Sequence, residues 1–191
     1  MLAVVLFSLG RTILDQQLPN VGCAKENHPP ALQPRHGEVA RTILFWAHMF
    51  PGLPILMAKK DIAEAFRWLW IAVDDCCLFA ADFHGRDFGL PGLVTALYLA
   101  LTFGWTGAPG EWMASAWLMK CYHAAWRPSR AHWDGRFQFS SFFLMDDQVL
   151  IEHFLGRRPF MSITTAEEGA RRSLGKLTTW RRMPKKETWR P

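Results

Sequence analysis

The sequence predicts an α+β fold in which a mainly antiparallel sheet is backed by two or three helices. Three observations predict it. Two apolar segments, 137–144 and 149–153, flank Met145-Asp146-Asp147-Gln148 as the arms of a hairpin flank its tip. Apolar residues recur at helical intervals over 38–50, and Pro51-Gly52 stops the pattern. Residues 111–125 have the length and composition of a buried helix. A chain of 191 residues suffices for one domain with a substantial core, but not for a multidomain enzyme.

Each element can be justified in chain order. Residues 1–16 carry two apolar stretches on either side of Gly10, with a short strand expected over 11–15. Four prolines and two glycines within 17–37 read as an extended loop. After the helix over 38–50, a strand is expected over 53–62, ending in Lys59-Lys60-Asp61, and then a short helical piece to Trp70. Residues 76–83 are apolar without helical stops and read as a strand; 93–102 is ambiguous between strand and helix. A glycine-rich stretch over 104–110 leads into the helix over 111–125, whose neighbourhood carries Trp112, Trp117 and Trp126, expected to face the core. Thr164 or Thr165 with Glu167 and Glu168 reads as a capped helix start, running to Leu174.

Composition narrows the function classes. Half the residues are apolar and a fifth are charged, so the bulk of the chain is globular. The net charge is +5, but ten basic and three acidic residues lie from Arg157 onward, leaving a slightly acidic body. The four cysteines, Cys23, Cys76, Cys77 and Cys121, form no CxxC pair. They read as reduced, mostly buried thiols, which suits an intracellular protein of cytoplasm or nucleus. The apolar start lacks a basic region and a cleavage site, so no signal peptide is expected, and the longest apolar run is too short to span a bilayer. Neither HExxH zinc spacing nor a GxSxG elbow occurs, and the seven histidines read as solvated or core residues.

The residues that carry chemistry are carboxylates. Asp61 ends one apolar strand, and Asp146 with Asp147 sits between two others. Unpaired carboxylates are costly in the middle of a sheet, so the three must be solvated at its edge, ion-paired, or neutralised by a cation. Two magnesium ions clamped by such groups would provide what an in-line phosphoryl transfer requires, provided the strands are neighbours. An Asp-Asp dipeptide alone decides nothing, since Asp74-Asp75 occurs in the same chain and reads as a solvated turn.

Four segments in order carry a resemblance. Lys60-Asp61-Ile62-Ala63-Glu64-Ala65-Phe66 has an aspartate followed five residues later by an aromatic. Leu101-Thr102-Phe103-Gly104-Trp105-Thr106-Gly107-Ala108-Pro109 is an apolar-then-glycine segment ending in small-x-Pro. Phe142-Phe143-Leu144-Met145-Asp146-Asp147 is an xMDD hairpin, and Gly10-Arg11-Thr12-Ile13-Leu14-Asp15 lies upstream. In this order, with 43 positions from Asp61 to Gly104 and 42 from Gly104 to Asp146, the chain resembles the fingers and palm of a reverse transcriptase of the retroelement type.

The resemblance implies a reverse-transcriptase-like palm over 51–163, a partial fingers segment over 1–50, and, over 164–191, a short helix with a basic tail expected to be disordered. It implies RNA-directed DNA polymerisation with two Mg2+ ions, or Mn2+ in their place, acting on deoxynucleoside triphosphates and an RNA or DNA template with its primer, away from any membrane. Asp61 and Asp146 would bridge the metals, Asp147 would be a further catalytic carboxylate and ligand, and the Ile62 carbonyl would complete one ion's shell. Phe66 would lie under the sugar of the nucleotide, Arg11 would contact its triphosphate, and Gly104 and Trp105 would shape the loop beside it. From the residues alone, Phe66 and Trp105 read equally as core aromatics and Arg11 as a surface arginine. Leu144 stands where the family often has an aromatic, and Phe103 where retroviral members have glutamine. Only 44 residues follow Asp147, too few for the family's thumb, so a truncated or degenerate copy is expected. The sequence leaves two function classes open: the polymerase, and a non-catalytic retroelement remnant that acts at most as a nucleic-acid-binding or interaction module.

Overall fold

Strand pairing centres the larger sheet on the apolar segment Asp147–His153. A computed structural model describes residues 16–126 and 136–175, and shows mixed α and β structure with small antiparallel sheets. The described residues divide into two compact units, each drawn from separate stretches of chain: 16–30 with 66–111, and 31–65 with 112–126 and 136–175. Among the described residues, no helix is long and apolar enough to cross a membrane.

The second unit holds a three-stranded sheet in the order β1-β5-β4, all antiparallel, from β1 (Ile55–Asp61), β4 (Ser141–Leu144) and β5 (Asp147–His153). As the middle strand, β5 is buried on both faces from Gln148 to His153. Its odd-numbered side chains form one core. Val149 and Ile151 meet Trp46 and Phe50 from the end of helix α2 (His36–Met49). Val39, Ile43 and Trp46 recur at steps of four and three, which places them on one face of that helix. Trp46 donates its indole N–H to the Ile151 carbonyl at 3.2 Å. Each fully buried aliphatic side chain such as Leu150 or Ile151 stabilises this unit by roughly 1.5–3 kcal/mol.

The even-numbered face of β5 is apolar at Leu150 and polar at Glu152, which meets helix α4 (Arg158–Leu174). Glu152 and Arg158 are both fully buried and form an ion pair at 2.6 Å. The remaining guanidinium donors reach the carbonyls of Phe137 at 3.0 Å and Gln138 at 2.7 Å. Ser162 donates to Glu152, and its hydroxyl lies 3.0 Å from His123 Nε2 on helix α3 (Ala108–Ala125). The lack of a side chain at Gly169 lets α4 lie close to Tyr122 and the Met119 carbonyl of α3.

The first unit contains helix α1 (Gln17–Val21), the two-stranded antiparallel pair β2 (Ala80–His84) and β3 (Leu93–Leu97), and several 3-10 turns. A bridge between Trp70 and Ala100 extends the strand pairing.

Several expectations need correction. Residues 17–37 are not simply extended: they contain α1, and a 3-10 turn over Lys25–Asn27. The strand expected over 76–83 is a 3-10 helix over Val73–Phe79 followed by β2. Its first turn carries Asp74 and Asp75, exposed and favourable to its N-terminus, and the Cys76 and Cys77 thiols donate back to the carbonyls of Ala72 and Asp74. Helix α4 starts at Arg158, not at Thr164, because Pro159 is preset for a first turn; the Thr164 hydroxyl instead donates to the Phe160 carbonyl inside the helix. Of the three tryptophans expected in the core, Trp112 is fully buried, whereas Trp117 and Trp126 are exposed. The thiols are free as expected, but only Cys76 is buried. The strand expected over 11–15 and the tail from 176 lie outside the described residues.

Candidate functional site

The carboxylates singled out in the sequence meet at one end of the three-stranded sheet. Asp61, the last residue of β1, is the register partner of Asp147, the first residue of β5. Paired residues project to the same face, so the two side chains share one side of the sheet. Asp146 occupies the turn beside them, and its backbone carbonyl accepts the Ile62 N–H at 3.1 Å. Ile62 itself is buried. Chain positions 84 and 86 apart are thereby held next to each other.

The turn that presents Asp146 is tight. Leu144 pairs with Asp147, leaving a two-residue loop of Met145 and Asp146. Met145 takes the left-handed conformation, φ 57°, that such hairpin loops need at their first position and that glycine normally supplies. A left-handed methionine costs on the order of 1–2 kcal/mol, so its surroundings must hold it. Trp112 does so from α3, donating its indole N–H to the Met145 carbonyl at 2.7 Å.

Three carboxylates at one sheet end repel one another. Asp146 is raised above the ordinary carboxylate range, chiefly by burial, with the charges of Asp147 and Asp61 adding and its own backbone hydrogen bond and Lys59 opposing. Lys59, two residues before Asp61 on the same face of β1, places Nζ 2.6 Å from Asp147 Oδ2. That hydrogen bond raises the Lys59 pKa, and the charges of Asp147, Asp61 and Asp146 reinforce it against burial. One ammonium against three carboxylates leaves a surplus of negative charge.

This donor set fits a divalent cation in charge and in ligand type. Among the described residues, however, no three of the His, Cys, Asp and Glu side chains are grouped so as to hold one ion. Magnesium is commonly bound through one or two carboxylates, completed by water and substrate phosphates, so the fit calls for Asp61 and Asp146 or Asp147 with oxygens from elsewhere.

The other sequence candidates belong to the first unit. Phe66 is buried and meets Phe103 edge-on with ring centroids 4.9 Å apart. Gly104 has φ 92°, and its carbonyl accepts from the Asn20 side chain at 2.8 Å; the same amide accepts the Thr106 N–H at 2.8 Å. Trp105 packs edge-on against His28 and Phe79. Arg11 lies outside the described residues.

Sequence reasoning missed Lys59 and the role of Trp112. Alternation along 55–61 puts Lys59 beside Asp61, a signal available in advance; the Trp112 bond spans 33 residues and has no local signal. No protein-family model matches this chain, and no curated protein matches it in sequence.

Proposed function

We propose that this chain is an RNA-directed DNA polymerase of the reverse-transcriptase kind, built on the palm and abbreviated fingers of a retroelement enzyme. The observation that carries the reading is the pairing of Asp61 with Asp147 beside Asp146 at one end of an antiparallel sheet, in the chain order of the resembled motifs. Asp61 and Asp146 would hold the metal, with Asp147 and the Ile62 carbonyl as further oxygens. When bound, magnesium supplies charge stabilisation for a displacement at the α-phosphate of a deoxynucleoside triphosphate. The chain's own part is positioning. The β1–β5 register fixes two carboxylates, the left-handed Met145 turn aims the third, and Trp112 locks that turn.

Primer extension on a homopolymer RNA template tests this. Magnesium-dependent synthesis by the chain, abolished in Asp146→Asn, is the expected result; no synthesis by either protein overturns it. The hydrogen bond from Lys59 to Asp147, together with the lack of a three-donor group among the described residues, favours a second reading, a non-catalytic remnant that binds nucleic acid. Retention of a primer-template duplex in a gel-shift assay without any synthesis would select it.

A further inference from the structure

We propose that Cys23, His28 and Glu111 form a thiol–imidazole–carboxylate relay that makes Cys23 a site of oxidation by small hydroperoxides. All three residues belong to the first unit, and the inference stands independently of the polymerase reading.

Local structure brings the thiol to the ring. Helix α1 ends at Val21, Gly22 follows as its cap, and the 3-10 turn over Lys25–Asn27 doubles the chain back. Cys23 Sγ then lies 3.0 Å from His28 Nε2, and the opposite ring nitrogen, Nδ1, lies 3.0 Å from Glu111 Oε1 in the first turn of α3. A carboxylate only accepts hydrogen bonds, so Nδ1 carries the ring proton and Nε2 is left to receive the thiol's. The ring is held in one place: it meets Trp105 edge-on at 4.9 Å. A Cβ at Gly107 would come within 2.9 Å of His28 Cε1, and one at Gly110 would collide with the Pro29 carbonyl. Two glycines thus make the seat in which His28 and Pro29 rest.

The geometry suits a relay and not a chelate. Sulfur and carboxylate sit on opposite nitrogens of the same imidazole, so they cannot converge on a single cation, in keeping with the lack of a three-ligand group among the described residues. Nucleophile, base and orienting carboxylate in this order are the parts of an activated thiol. Exposure also differs among the cysteines. Cys23 is half-buried, whereas Cys77 and Cys121 are exposed, and the Cys77 thiol meets the Asp74 carbonyl at 3.6 Å.

In the step itself, the thiol proton moves to Nε2 and Glu111 stabilises the imidazolium. The thiolate attacks one peroxide oxygen; the S–O bond forms as the O–O bond breaks. The departing hydroxide or alkoxide takes the Nε2 proton and leaves as water or alcohol. Sulfur loses two electrons, the hydroperoxide gains them, and Cys23 becomes a sulfenic acid. Hydroperoxides are favoured over alkylating electrophiles because only they need a proton on the leaving group, which the imidazolium provides.

The test treats the reduced full-length chain with limiting hydrogen peroxide at pH 6, traps sulfenic acid with dimedone, and reads each site by mass spectrometry. Because a base stands 3.0 Å from its sulfur, Cys23 is expected to react at least about tenfold faster than Cys77 and Cys121. Glu111→Gln should lower the Cys23 rate several-fold and leave Cys77 unchanged. The advantage of Cys23 should also vanish in concentrated urea, a measurement that needs no variant. Rates that follow exposure, with Cys23 slower than Cys77 and Cys121, would overturn the proposal, as would a Cys23 advantage that persists in urea.

Discussion

Trp112 donates its indole N–H to the backbone carbonyl of Met145, 2.7 Å away, and so ties helix α3 to the left-handed corner that carries Asp146. Trp112→Phe removes the donor and leaves a smaller aromatic ring at a fully buried site. A hydrogen bond lost at a buried tryptophan should cost about 1–3 kcal/mol of unfolding free energy, readable from urea denaturation, and, under the proposed function, magnesium-dependent synthesis should fall with it.

Under the proposed function, a cation at Asp147 would compete with Lys59 for its carboxylate. Its ammonium is half-exposed, and such pairs typically contribute about 0.2–1 kcal/mol, so Lys59→Met should tighten Mg2+ binding by no more than about fivefold. Asp146→Asn should weaken binding instead. Calorimetric titration of both variants checks the pair; a Lys59→Met protein that binds Mg2+ more weakly would show that the lysine does not oppose the cation.

His153 stacks on Phe50 with centroids 3.7 Å apart and planes within 10°, and neither ring nitrogen has a hydrogen-bond partner among the described residues. His153→Phe keeps the stacking and removes two unpaired polar atoms. An increase of about 1–2 kcal/mol in unfolding free energy is expected.

The buried histidines also set a pH dependence. Burial, aided by the charge of Arg158, lowers His153 to about 4; burial lowers His123 to about 4 as well, with Arg158 adding and the Ser162 backbone opposing. Glu152 moves the other way, raised by burial to about 7 although Arg158, the Ser140 N–H and the Ser162 hydroxyl favour its carboxylate. Unfolded histidine protonates near about 6.5 and glutamate near about 4.3, so over roughly pH 4.5–6.5 the unfolded chain holds two extra histidine protons against one extra on the folded chain's Glu152. With a net excess on the unfolded side, these three groups make stability rise with pH. In His153→Phe the two sides balance and their contribution flattens. Urea unfolding at several pH values compares the slopes; equal slopes in the two proteins would contradict the assignment.

Arg158 is buried with its charge fully engaged. Arg158→Met leaves the Glu152 carboxylate buried without its partner and two carbonyls without donors. A loss of about 3–5 kcal/mol is expected, enough to unfold a marginal domain, and thermal denaturation reads it directly.

Local chemistry made much of the fold legible. The helix at 36–49 was visible because Val39, Ile43 and Trp46 recur at helical steps, and the hairpin because two apolar arms flank an acidic tip. The 3-10 helix at 73–79 was not, since an apolar stretch carries no period to separate it from a strand. The start of α4 escapes local reading for a similar reason: Thr164 looks like a cap but bonds inside a helix that begins at Arg158-Pro159.

The candidate sites divide along the same line. By itself the sequence determined the donors, their order and the surplus of charge: Asp61, Asp146 and Asp147 stand out as carboxylates beside apolar strands. Only tertiary structure decided that Asp146-Asp147 faces Asp61 while the identical Asp74-Asp75 lies exposed at the start of a 3-10 helix. It alone brought Glu111 to His28 across 83 residues. Short-range rules act through bonds spanning about four residues, whereas strand register and helix docking depend on the whole core closing, which no local window contains.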